Sequence, residues 1–338
     1  MDAVGPELRR DELSGRWVIF APERLNRPSD FHRLSGAARV SSSRTCPFCE
    51  GHEGMTPPEI FALRRPESEP NGPGWRVRVV PNKYPAVGPG RPIHKPKTGL
   101  FEARSGGGTH EVIIDAPEHG REWPGLSLER VGEILRVHRD RVALAEKRAG
   151  VRFVQLFKNK GREAGASLSH SHTQIIALPV VPVDVLGESL RVEREFRRTG
   201  RCPACRVIEA ERAAGERWIA GNADFAAIAP FASRFPYETR VFPFRHFSSF
   251  AETTEDEIRS LASLSRSILV RLKKAMDDPP YNLILRWWPH GPGAVSAKAG
   301  HWSLEIRPVL THIAGFELGT GMYINPVFPE DAAKALRQ

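Results

Sequence analysis

Three things are scarce in this chain: long apolar runs, cysteine outside two tight pairs, and any polybasic block. No stretch approaches the roughly 18 apolar residues of a membrane-spanning helix, so no membrane partner is expected. The start, Met1 to Arg10, is charged and lacks the apolar segment of a secretory leader. These absences predict a soluble, cytoplasmic protein. The formal charge of +9 favours anionic partners such as nucleotides and sugar phosphates. Arginine is spread along the chain instead of gathered into a run, which argues against nucleic acid as the anion.

All four cysteines fall in two Cys-x-x-Cys pairs, Cys46 with Cys49 and Cys202 with Cys205. In a cytoplasmic protein such pairs read first as zinc ligands and second as redox couples. A redox couple usually opens a helix. Both pairs here are expected in proline-containing knuckles, which favours zinc. A zinc-ribbon nucleic-acid binder would interleave aromatic and basic residues on its knuckles, and Phe48 is the only aromatic inside them. No nucleic-acid partner is expected.

What is present is a row of polar side chains on an apolar strand. Ser167 to Leu178 contains His170, His172 and Gln174 at alternate positions, followed by Ile175, Ile176, Ala177 and Leu178. Alternate residues of a strand share one face, so two imidazoles and an amide line one surface. At 338 residues the chain predicts two domains or one duplicated domain.

Strands are expected at 17–20, 75–80, 111–115, 153–157, 217–220, 226–229, 239–244 and 281–287. Ser127 can cap a helix running to about Arg148, with Leu128, Val131, Ile134, Leu135 and Val142 at helical spacing. A charged helix is expected over 183–200. Thr254 and Glu257 form a capping box that opens a third helix, to about Met276. One order of parts occurs twice: a cysteine pair, strands, a histidine just past a strand, a capped helix, a strand, a loop, and a strand opening with histidine. Cys46, Cys49, His119 and His170 thereby match Cys202, Cys205, His246 and His301. Each set offers two thiolates and two imidazoles, a closed tetrahedral site of structural type, so two structural zinc ions per chain are expected. His119 is preferred over His110 because His119, like His246, follows its strand. His172 aligns with Ser303 and Gln174 with Glu305, so only the first half keeps an uncommitted second histidine.

A neutral imidazole on a rigid strand can attack phosphorus and form a phosphoramidate. The phosphoryl oxygens then need donors, for which Gln174, Asn159 and the neighbourhood of Ser167 are candidates. The other role open to His172 is general base in hydrolysis. His170-Ser-His172-Thr-Gln174 resembles the His-x-His-x-Gln signature of the histidine-triad superfamily. With Cys-Pro-Phe-Cys, Leu13-Ser-Gly-Arg-Trp-Val-Ile-Phe-Ala-Pro-Glu-Arg24-Leu-Asn-Arg27-Pro and Asn159-Lys-Gly-Arg-Glu-Ala-Gly-Ala-Ser167, it resembles the galactose-1-phosphate uridylyltransferase family over nearly the whole chain. Asp278-Pro-Pro-Tyr-Asn282 and the 315–331 segment are most similar to the plant-type ADP-glucose phosphorylase branch. Leu168-Ser169 and Ser171-His-Thr173 depart from the Asn-Pro and Pro-His-Gly of the uridylyltransferases proper.

The resemblance implies an α+β fold of duplicated histidine-triad-like domains, antiparallel sheets with packed helices, at residues 1–180 (catalytic) and 181–338 (second metal site). It implies nucleoside monophosphate transfer from a nucleotide sugar to a sugar 1-phosphate or phosphate through a covalent nucleotidyl-His172. The main expectation is UDP-glucose:hexose-1-phosphate uridylyltransferase. The alternatives are ADP-glucose phosphorylase and a histidine-triad hydrolase. Arg24, Arg27, Asn82, Asn159, Gly165, Ala166, Ser167 and Gln174 would contact phosphates or sugar. A Gly319 to Gly321 turn would reach the sugar from the partner subunit of a homodimer. A second metal site of the other family type would use Glu188 and His290, but Ser303 stands where another ligand is required.

Overall fold

The computed structural model describes residues 5–26, 42–90, 100–289 and 295–338. Arg27 and His290 lie outside the described residues. The first part of the chain runs β1 (Glu7–Arg10), β2 (Trp17–Phe20), β3 (Phe61–Arg64), β4 (Trp75–Pro81), β5 (Thr109–Ile114), α1 (Leu128–Glu146), β6 (Phe153–Lys160) and β7 (His172–Leu178). There follow α2 (Val183–Thr199), α3 (Pro203–Ala214), β8 (Trp218–Gly221), β9 (Phe225–Ile228), β10 (Thr239–Pro243) and α4 (Glu255–Met276). The chain closes with β11 (Tyr281–Arg286), β12 (Ser303–Pro308), α5 (Gly315–Thr320), β13 (Tyr323–Asn325) and α6 (Pro329–Arg337).

The helices begin and end where local chemistry directs. Ser127 accepts a hydrogen bond from the Arg130 N–H and starts α1. Thr254 and Glu257 form the reciprocal capping box of α4. Gly200, in the left-handed region at φ 69°, closes α2 as only glycine does without strain. The sequence reading missed α3. Cys202 is its N-cap and Pro203 its first residue, where proline's fixed φ suits a helix start. The second cysteine pair therefore opens a helix and is not a knuckle of the expected kind.

Ten strands form one sheet in the order β3-β4-β5-β7-β6-β11-β12-β10-β9-β8. The run β3-β4-β5-β7-β6 is repeated as β8-β9-β10-β12-β11, and the two runs meet where β6 pairs antiparallel with β11. One face is apolar. Ile175, Ala177, Leu283, Leu285, Leu304 and Ile306 are buried there in a single core with Ile134 and Leu135 of α1 and Ile258, Leu261 and Ile268 of α4. Each of the leucines and isoleucines contributes about 1.5–3 kcal/mol on burial, so the paired helices hold both half-sheets at once. The opposite face carries the polar row. A second, three-stranded sheet orders β1-β2-β13, with β13 parallel to β2.

Candidate active site

The two quartets named from sequence each come together. The ligand atoms of Cys46, Cys49, His119 and His170 all lie within 4.8 Å of one another, as do those of Cys202, Cys205, His246 and His301. Tetrahedral zinc with bonds of about 2.3 Å to sulfur and 2.0–2.1 Å to nitrogen has an S···N edge of roughly 3.6 Å. Sγ of Cys46 and of Cys49 are each 3.6 Å from His170 Nδ1, and Cys49 Sγ is 3.3 Å from His119 Nδ1. In the second set the S···Nδ1 separations are 4.0, 3.4 and 3.5 Å. The other ring nitrogens are held from behind. Nε2 of His170 meets Ala116 O at 2.6 Å, and that of His301 meets Pro243 O at 2.9 Å. Nε2 of His246 meets Ala297 O at 2.9 Å, and that of His119 meets Ser169 Oγ at 3.2 Å. A carbonyl only accepts, so at three of the four rings the hydrogen sits on Nε2 and the Nδ1 lone pair faces the thiolates. Both clusters can hold a metal ion, and their donor set fits zinc.

The first cluster fixes the start of β7. His172 is buried, and its Nδ1 donates to His170 O at 2.8 Å. Nε2 therefore carries the lone pair and has no hydrogen-bonding partner among the described residues. Burial lowers the His172 pKa and the positive charge of Lys158 lowers it further, against the raising effect of the His170 carbonyl. The ring is neutral at neutral pH, as a nucleophile requires. Phe48 packs edge-on against it at 5.3 Å and against His170 at 6.1 Å. The cysteine knuckle thus covers the ring that the metal-site histidine anchors.

Gln174 is oriented by a residue that the sequence reading set aside. The Ala86 N–H donates to His110 Nδ1 at 3.2 Å, which places the ring hydrogen on Nε2. His110 Nε2 then donates to Gln174 Oε1 at 2.9 Å. The Gln174 oxygen is occupied, and its NH₂ remains to serve a ligand. Asn82 lies with Nδ2 3.1 Å from His110 Nε2, and its own N–H donates to His110 O at 2.8 Å. The signal for His110 was in the alternation: it shares a strand face with Val112 and Ile114, which pair with Gln174 and His172.

Asn159 lies on β6, one residue beyond the Lys158–Thr173 pair, which brings it beside His172. Gly165, Ala166 and Ser167 follow on the tight loop in which Ala166 N–H donates to Gly161 O at 3.0 Å. Gly161 must be glycine: its φ is +86°, and a Cβ there would sit 2.7 Å from Pro280 Cβ.

Behind the row is a buried charge cluster that periodicity did not reveal. Lys158 Nζ lies 3.1 Å from Asp115 and 3.0 Å from Glu122, with both Lys158 and Asp115 side chains fully buried. It also donates to Ser171 Oγ at 2.7 Å. Burial alone would raise the Asp115 pKa, but Lys158, His138 and the Trp123 hydrogen bond together outweigh it and hold the carboxyl well below the usual range.

The position in the second half that matches Gln174 is chemically different. Glu305, fully buried, is bound by Arg240, by Arg307 and, at 3.1 Å, by Arg234. Glu188 pairs with Arg286, not with the metal-site histidines. Three other expected residues are not joined to the row by contacts among the described residues. Arg24 lies on the short turn Pro22–Asn26 after β2, beside the three-stranded sheet. Gly319 is not in a turn but inside α5, and Gly321 is the left-handed cap of that helix.

The family model described as "Galactose-1-phosphate uridyl transferase, N-terminal domain" matches residues 1–182, more than half of the chain. The chain belongs to the galactose-1-phosphate uridylyltransferase family. A second model, for a domain of unknown function, matches residues 135–337. ADP-glucose phosphorylase of Arabidopsis thaliana is 37% identical over 98% of this chain and 93% of its own length. Galactose-1-phosphate uridylyltransferase of Thermotoga maritima is 30% identical over 98% of both. The crystal structure of the Arabidopsis ADP-glucose phosphorylase with bound ADP-glucose superposes with a TM-score of 0.82, 35% identity and 99% coverage of both chains. Like other members of this family, the protein is an enzyme, a nucleotidyltransferase of mixed α+β fold. Among the described residues, no helix is long and apolar enough to cross a membrane.

Proposed function

We propose that the enzyme transfers a nucleoside monophosphate from a nucleotide sugar through a covalent nucleotidyl-His172. The observation that carries this is the pinned tautomer of His172, with Nδ1–H held by His170 O and Nε2 left as the free base. Nε2 attacks the α-phosphorus, the bond to the sugar phosphate oxygen breaks, and sugar 1-phosphate leaves. An incoming phosphate or sugar 1-phosphate oxygen then displaces the imidazole. The intermediate bears positive charge on the ring, and the His170 carbonyl stabilises it through the Nδ1–H. The amide NH₂ groups of Gln174 and Asn159 serve the phosphoryl oxygens.

Bound zinc would supply structural cross-linking at Cys46, Cys49, His119 and His170, and again at Cys202, Cys205, His246 and His301, with no part in bond making. Their effect on the chemistry is positional, through β7 and Phe48.

Of the two bases, adenine is favoured, with ADP-glucose as donor and inorganic phosphate as acceptor. The higher identity to the ADP-glucose phosphorylase and the departures at Leu168-Ser169 and Ser171-His-Thr173 support this reading. UDP-glucose with galactose 1-phosphate is the second reading, supported by the family model and the Thermotoga relative. A donor panel labelled in the α-phosphate decides between them. Label from ADP-glucose should reach His172 and pass to phosphate. Label from UDP-glucose alone would reverse the base, and label from neither would defeat the proposal.

A further inference from the structure

We propose that Asn282, on the strand contributed by the second half of the chain, is a positioning residue that orients Asn159 toward the phosphates. The proposal rests on the transfer reading above and adds a residue to it. Asn282 is the cross-strand partner of Asn159 in the β6–β11 pairing. Its Nδ2 donates to Asn159 Oδ1 and to Ala164 O, both at 2.8 Å.

The orientation of both amides follows from one fixed group. A backbone carbonyl can only accept, so Ala164 determines which end of Asn282 is nitrogen. That nitrogen in turn requires the oxygen of Asn159. With its oxygen engaged, Asn159 can present only its NH₂ to the open side. The same result is visible from the glycine loop, where a methyl group at Gly165 would lie 3.6 Å from Asn159 Nδ2. The NH₂ therefore points at the exposed, positive-φ glycine that follows the strand. His172 lies on the neighbouring strand at the same level.

An unheld carboxamide offers a phosphate either end, and the oxygen end repels it. Asn282 removes that choice before the ligand arrives. Its bond to Ala164 O serves to fix which end of Asn282 is nitrogen. By this means the half that carries Ser303 in place of a nucleophile still acts on the chemistry of the other half.

The test uses the full chain and the donor panel, with metal content and melting temperature measured on every variant. In Asn282→Asp the carboxylate can only accept at neutral pH. Asn159 then turns its NH₂ toward residue 282 and shows its oxygen to the phosphates. In Asn282→Leu the hold is lost without added charge. Both variants should keep metal, and transfer should fall by about tenfold or more in kcat/KM, more for Asp than for Leu. Asn159→Ala combined with Asn282→Leu should transfer no worse than Asn159→Ala alone, because the partner acts only through Asn159. Full activity in Asn282→Leu, or losses that multiply in the double variant, would overturn the proposal. If the wild type takes no label from any donor, the transfer reading fails. Calorimetric titration with ADP and UDP then decides the positioning role, and equal affinity of wild type and Asn282→Leu overturns it.

Discussion

His110 Nε2 and Gln174 Oε1 are 2.9 Å apart, and the Ala86 N–H on the far side of the ring makes that contact run in one direction only. His110→Ala should leave the Gln174 amide free to rotate. The expected outcome is a folded, metal-loaded protein with kcat/KM reduced by about tenfold, and less loss in KM than in kcat. Steady-state kinetics with the preferred donor checks this. An unchanged kcat would show that Gln174 needs no orienting partner.

The same pair carries a pH signature. Burial lowers the His110 pKa below its ordinary value, against the raising effect of the Gln174 hydrogen bond. The unfolded state therefore binds the proton more readily. The stability this gives is complete above the unfolded pKa of about 6.5 and is lost as pH falls toward the folded value. Melting temperature followed from pH 8 to 5 should fall less steeply in His110→Gln than in wild type.

His172→Asn and His170→Asn should separate chemistry from metal. The first should keep two metal ions per chain and lose transfer by at least about a thousandfold. The second should lose one ion and melt lower. Metal analysis, label transfer and thermal melts on the two proteins check the division. Identical behaviour would contradict it.

Lys158→Met leaves the Asp115 carboxylate buried without its cation. Removing one partner of such a pair costs about 3–5 kcal/mol, which urea unfolding should show. The depressed Asp115 pKa acts with the same sign as that of His110 but at lower pH: its stabilisation is present above the unfolded pKa of about 3.9 and is lost as pH falls further. Lys158→Met should narrow the acid dependence as well as lower the midpoint.

The parts of the fold legible in sequence were those with strong local signals. Ser127, Thr254 with Glu257, and Gly200 placed helix ends, and the alternation at His172 and Gln174 put them on one face of β7, which begins at His172 and leaves His170 just before it. The histidine and cysteine quartets were legible because the same order of parts occurs twice. What stayed hidden depends on pairing between distant strands. His110 meets Gln174 across 64 residues and Asn282 meets Asn159 across 123; alternation puts His110 on a strand face, but no local pattern records which distant residue either one meets. Lys158 was hidden for a different reason: the expected strand stops at 157, and a lysine just past a strand reads as solvent-facing until Asp115 and Glu122 are seen to enclose it. The helix opened by Cys202 was missed because Cys202-Pro-Ala-Cys205 reads as a knuckle, although proline at the first helical position favours helix.

The join between β6 and β11 has a consequence for handling the molecule in pieces. Residues 1–180 and 181–338, which we propose as its two units, would each be released with a bare central strand edge and half of a shared core. Such edges recruit whatever strand is near. Expressed separately, the fragments should aggregate. Expressed together, they should find one another along that edge and recover transfer, with the reassembled seam restoring Asn282 to Asn159.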